Sequence, residues 1–153
     1  ISGQGQQVAR YAYGTIHTDK DLPLGDRLDH IFQRLVETIG EAAPDIMVVE
    51  DVFSLKRYPR SGILLGNVTG VILLAGKRRQ VPTVQVPARE AKQILTGNGN
   101  ASKAQLEMAV RHTLSCATPI RPTHAADALG LALIGLYRFE RLCADQQIHR
   151  ESS

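Results

Sequence analysis

Glu50 closes a short apolar run, residues 46–49, and so reads as a carboxylate at the end of a buried strand. His124 and Asp127 stand three residues apart at the head of PTHAADALGLAL, so a helix there projects both from one face. A glutamate, an aspartate and an imidazole are hard oxygen and nitrogen donors that can share a divalent cation. A metal held in this way activates water against a phosphodiester, which makes phosphoryl hydrolysis the chemistry to test. Each residue also has a plainer reading. Glu50 would serve in a strand-end salt bridge, Asp127 would favour the first turn of its helix, and His124 would be an exposed loop residue. Asp51 is not counted as a ligand, because alternation along an extended strand turns its side chain away from that of Glu50.

The elements that must carry these groups follow from hydrophobic periodicity. Residues 7–18, QVARYAYGTIHT, have the aromatic and β-branched character of a strand. After a turn-rich loop, Asp26 is placed to cap a helix. Leu28, Ile31, Phe32, Leu35, Val36 and Ile39 then fall at three- and four-residue steps. Pro44 ends that helix near residues 42–43. IMVVE is the strand that delivers Glu50. SLKRYPR, residues 54–60, reads as a basic loop, and residues 61–76 read as a helix apolar on nearly every side. Gly62, Gly66 and Gly70 form one smooth stripe on it. Each costs about 1 kcal/mol of helix stability relative to alanine, so close approach of another element is implied. That element is either part of the same subunit or a second one.

KRRQ, residues 77–80, ends the helix with cations where its dipole favours them, and reads as solvated charge. VPTVQVP is a further strand. A helix over 88–95, the loop TGNGN, and a helix over 102–115 follow, with Ser102 and Gln105 in capping-box spacing. The last helix is expected over 124–143, as the end of one domain spanning 1–143, with residues 144–153 as a frayed polar tail. Strands alternating with helices give an α/β layout with at least part of the sheet parallel.

The chain has 153 residues, enough for one domain with a real core. It is 43% hydrophobic and 22% charged, with a net charge of +3, which tilts only mildly toward an acidic partner such as nucleic acid. Cys116 and Cys143 form no metal-like cluster and read as reduced, buried thiols. No apolar run reaches membrane-spanning length and no leader opens the chain, so a cytoplasmic location and no membrane partner are expected. Ile1 is a poor candidate for a processed start, so the sequence is expected to begin inside a longer polypeptide.

The order of the pieces resembles the RuvC family of Holliday-junction resolvases. The resemblance runs from about residue 7 to residue 140. It is carried by LPLGDRLDHIFQRL, PDIMVVEDVF, the glycine-bearing helix with LGNVTG, VPAREAKQILTGNGNASKAQ and HAADALGLAL, in that order. It implies a ribonuclease-H-like fold: a five-stranded mixed sheet flanked by helices. It implies a homodimer that cuts opposing strands of a four-way DNA junction symmetrically. The cofactor it implies is Mg²⁺, with Mn²⁺ as a substitute and two ions per active site. A branch-migration motor is a further implied partner.

Residue by residue, Glu50 matches the family's strand-end catalytic glutamate and Asp127 its helix-borne aspartate. His124 sits where members carry aspartate or histidine, so all three are the expected catalytic and metal-binding residues. Arg89, Lys92 and Lys103 match basic positions near the scissile phosphate. Lys56, Arg57 and Arg60 are further candidates for phosphate contact. Phe53 matches an aromatic used against unstacked bases, with a core phenylalanine as the competing reading. Tyr58 is a second stacking candidate. Thr69 replaces an arginine common in the family, which puts the DNA role of its helix in question.

The family's aspartate on a first strand, in a G-x-D-x-G setting, has no counterpart in this sequence. The sequence is therefore expected to lack that strand, to hold metal weakly and to cut poorly. It is either part of a longer chain or a naturally shortened relative. The runner-up function is an inactive junction-binding protein of the same fold. A third is a nuclease of that fold acting on RNA.

Overall fold

The computed structural model describes the backbone of residues 1–51 and 59–151, and side chains over 1–51 and 62–139. The element order is β1 (Ser2–Gln4), β2 (Gln7–Arg10), α1 (Leu24–Ala42), β3 (Met47–Glu50), α2 (Pro59–Arg78), β4 (Thr83–Val86), α3 (Ala88–Thr96), α4 (Lys103–Thr113) and α5 (Thr123–Glu151). This is a mixed α/β fold. The described strands form two separate pairs, β1–β2 antiparallel and β3–β4 parallel, where the resemblance implied one five-stranded sheet. Among the described residues no helix is long and apolar enough to cross a membrane.

The expected strand over 7–18 is shorter. It ends at Arg10, and residues 11–19 are irregular. Strand propensity without a ladder partner leaves backbone groups to water, so composition alone does not hold such a segment extended. The helix expected to be capped by Asp26 starts earlier. Pro23 takes the cap position without a side-chain bond, and Asp26 lies in the first turn, where its charge suits the dipole. At the other end Ala43 turns left-handed at φ 42°, with its N–H donating to the Ile39 carbonyl. Pro44 bars it from continuing right-handed.

Pro59 opens α2, where a missing N–H is tolerated. Arg60 is therefore helical rather than in the expected basic loop. α5 continues past the expected stop near residue 143 to Glu151, since no glycine or proline interrupts it after Gly135.

α5 is the central element. Its Ala125, Ala126, Leu129 and Leu133 join Leu106 and Val110 of α4, Leu114 just after it, and Ile120 in one buried cluster. Its Leu131 and Ile134 join Val86 and Ala91 in a second, against which Val48, Val84 and Leu95 pack. This second cluster ties β3, β4, α3 and α5 together beneath the strand ends.

α1 lies on α2. Of its apolar stripe only Ile39 is fully buried, the other five residues being half-covered. Arg79, expected to be solvated charge, has a specific role here. Its Nε donates to the Val36 carbonyl at 2.8 Å, and its guanidinium lies against Gly40. Cys116, expected to be buried, is half-exposed, and its thiol donates to the Thr118 carbonyl at 3.2 Å. The side chain of Cys143 lies outside the described residues.

Candidate active site

β3 and β4 run in register, with Met47 opposite Thr83 and Glu50 opposite Val86. The Asp51 N–H donates to the Val86 carbonyl at 2.9 Å, which extends the ladder one residue and fixes the strand end. Glu50 therefore projects from the carboxyl end of a parallel pair, a place where α/β folds bind ligands. Val48 and Glu50 share one face of β3. Val48 packs on α5, where a methyl group on Gly135 would stand 2.7 Å from Val48 Cγ2. The absence of a side chain at Gly135 lets helix and strand approach closely. That approach brings the first turns of α5 to the strand end.

Glu50 and Asp127 meet there. They line one shallow pocket with Ala88, Ala91 and Lys92 of α3, Leu106 of α4 and Leu131 of α5. Ala88, Ala91 and Lys92 fall at helical spacing, so two small residues open the space and one cation enters it. Asp51 does not line this pocket, as alternation requires.

Burial pushes the Glu50 carboxyl above its usual range, and the nearby Asp127 charge pushes it the same way. Lys103 and Lys92 pull it part of the way back. Lys103 Nζ lies 3.9 Å from Asp127 Oδ2 with its own side chain 72% exposed. A contact so open to water contributes little to stability.

His124 lies at the head of α5, three residues before Asp127, and is exposed. It does not line the pocket. Among the described residues no three His, Cys, Asp or Glu side chains group as a metal site. Glu50 and Asp127 are thus the two expected ligands that come together. Both are hard oxygen donors, and their mutual repulsion suits a divalent cation, so the donor set fits part of a Mg²⁺ shell.

Arg89 is exposed on α3, with its stem across the loop after that helix. Phe53, Lys56, Arg57 and Tyr58 lie outside the described residues. Arg60 is described in its backbone only. Thr69 is buried, and its hydroxyl donates to the Leu65 carbonyl at 2.9 Å, so it is satisfied within its own helix.

The pocket walls Ala88, Ala91, Leu106 and Leu131 escaped the sequence reading. Their only local signal is small residues three apart beside a lysine. Gln93 escaped it too. Its side chain bonds the loop after α3 at both ends.

The family model "Crossover junction endodeoxyribonuclease RuvC" matches residues 1–135. A relative of that name from Rhodopirellula baltica is 34% identical over 137 residues, covering 90% of this chain and 77% of the relative. One from Desulforamulus reducens is 34% identical over 129 residues, covering 84% and 78%. The solved Thermus thermophilus RuvC structure matches with TM-score 0.81 and 29% identity, covering 92% of this chain and 85% of that one. A structure of T. thermophilus RuvC in complex with Holliday junction substrate matches with TM-score 0.72 and 26% identity, covering 82% and 76%.

Proposed function

Because the chain belongs to the RuvC family of Holliday junction resolvases, we propose that it binds four-way DNA junctions and hydrolyses phosphodiesters symmetrically in opposing strands. The observation that carries this is the convergence of Glu50 and Asp127, from β3 and α5, in one pocket with Lys92. In this reading Glu50 and Asp127 hold Mg²⁺, or Mn²⁺ in its place, two ions per site. Bound metal supplies the Lewis acidity that activates water and neutralises the phosphate.

The chain's own residues supply the rest. Lys92 enters the pocket from α3 and contacts the scissile phosphate. Lys103 neutralises Asp127 in the free protein and turns its exposed ammonium to phosphate when DNA arrives. Arg89 holds a flanking phosphate, and His124 positions the water or phosphate from its place one helical turn before Asp127. The Asp127 charge beside the half-buried Glu50 carboxyl, which raises the cost of charging it, makes a divalent cation between the two favourable. Phe53, Lys56, Arg57 and Arg60 complete the DNA surface as a stacking residue and three cations.

A homodimer is part of the proposal. Among the described residues, the helix's own backbone apart, no atom lies within 4 Å of where a Cβ would stand on the stripe of Gly62, Gly66 and Gly70 of α2. Ile63, Leu64, Leu65 and Leu74 are exposed on the same helix, Ile63 at 67%. Packing within the described part of the subunit therefore does not account for the stripe. A second copy would cover it.

The test compares junction with plain duplex and RNA–DNA hybrid. The 153-residue chain is expected to bind the junction most tightly. Its Mg²⁺-dependent cleavage is expected to be slow, because two carboxylates make a thin ligand set. Asp127→Asn should abolish the nicks and leave junction binding intact. Equal loss of binding and cleavage overturns the role given to Asp127. Preference for the hybrid overturns the junction assignment.

A further inference from the structure

The loop between α3 and α4 has no apolar residue from Gly97 to Asn100. Hydrogen bonds shape it: the Thr96 hydroxyl accepts from the Asn98 N–H at 3.2 Å, Asn98 Oδ1 accepts from the Asn100 N–H at 2.9 Å, and Gln93 alone reaches Gly97 and Gly99 with its side chain. Gln93 Nε2 donates to the Gly97 carbonyl at 2.9 Å, and Gln93 Oε1 accepts from the Gly99 N–H at 2.9 Å. The Gln93 main-chain carbonyl also accepts from the Gly97 N–H at 3.0 Å. A neutral primary amide offers a donor and an acceptor on one planar end, which is what these two bonds use.

The loop fixed in this way is a platform. A Cβ at Gly99 would stand 2.9 Å from Arg89 Cγ and 3.1 Å from Arg89 Nε, so the Arg89 stem rests directly on the bare Gly99 backbone. Further on, the Asn98 carbonyl accepts from Ala101, which is buried, and Ser102 then caps α4 at Lys103. The segment that Gln93 holds therefore supports one cation and leads into the helix that carries another, 3.9 Å from Asp127.

We propose that Gln93 is a positioning residue for junction binding, clamping the 97–99 loop so that Arg89 is held in place for a phosphate. This rests on the reading of Arg89 as a phosphate contact. Gln93 itself touches no nucleic acid in this scheme. Its loss releases the Gly99 backbone, while Thr96 and Asn98 still hold residues 98 and 100, and so lets the Arg89 stem move and weakens one electrostatic contact.

The experiment measures junction affinity against salt for wild type, Gln93→Met, Arg89→Ala and the double variant. Methionine keeps the length and helix preference of glutamine without its hydrogen bonds. Removing one phosphate interaction should shrink the slope of log affinity against log salt by about 0.9. Arg89→Ala is expected to show that reduction, Gln93→Met part or all of it, and the double variant no more than Arg89→Ala alone. A full slope in Gln93→Met beside a reduced one in Arg89→Ala overturns the proposal. So do additive reductions, since Gln93 would then act elsewhere than through Arg89. A full slope in Arg89→Ala instead sinks the phosphate role of Arg89 on which the proposal stands. Should Gln93→Met fail to fold, Gly99→Ala serves in its place, as its methyl displaces the Arg89 stem from the other side and is expected to give the same non-additive reduction.

Discussion

Replacing Gly135 by alanine should loosen the seam that brings the two carboxylates together. The added methyl would stand 2.7 Å from Val48 Cγ2, about 1 Å inside ordinary carbon–carbon contact. Val48 is β-branched and has few alternative rotamers, so the strain falls on the spacing between α5 and β3. Overpacking of this kind costs about 1–3 kcal/mol. For a chain of this size that is a fall in melting temperature of roughly 2–12 °C.

The functional effect should exceed the stability effect. Glu50 is two residues along β3 from Val48, and Asp127 is two helical turns along α5 from Gly135. A displacement near 1 Å between them can cost about 100-fold in rate. The assay is a melting curve together with Mg²⁺-dependent junction nicking. The Val48→Ala, Gly135→Ala double variant supplies the control. Removing Cγ2 makes room for the new methyl, so the pair should be more stable than the sum of the single losses predicts. Unchanged melting in Gly135→Ala, or strict additivity in the double variant, refutes the seam argument.

Other expectations follow from the same geometry. Because burial and Asp127 raise the Glu50 carboxyl above its ordinary range, the folded state holds that proton more tightly than the unfolded state. The resulting loss of stability is fully present above the raised value and absent below the ordinary glutamate range. Glu50→Gln should therefore raise the urea midpoint at neutral pH, with the gain vanishing in acid, and a lowered midpoint at neutral pH would contradict this. Ser102→Ala removes the hydroxyl half of the reciprocal cap with Gln105 and should cost about 1 kcal/mol, read as a lower urea midpoint with an unchanged m-value. Gly66→Glu puts a charge where, among the described residues, nothing but the helix's own backbone lies within 4 Å. It should leave the fold intact and shift the protein to monomer in light scattering, whereas a persistent dimer would remove α2 as the interface.

Much of the site's local construction was legible in the residues. The strand ending in Glu50, the helix start bearing Asp127 and the Ser102–Gln105 cap each depend on neighbours within a few positions. Sequence spacing therefore determines them. The strand drawn to residue 18 was too long because a strand exists only with a partner, and pairing is not local.

Other features depended on how distant elements settle against one another. The spacing of residues 124 and 127 put His124 and Asp127 on one helix face, yet only Asp127 reaches the pocket wall. Nothing local marked Arg79 as a ligand of the Val36 carbonyl, or Gly135 as the seat of Val48. The sequence determined which residues stand at element ends and which faces are apolar, because helix and strand periods are properties of the backbone. Tertiary packing decided which of those ends meet, because distances between elements are set by contacts among side chains far apart in the chain.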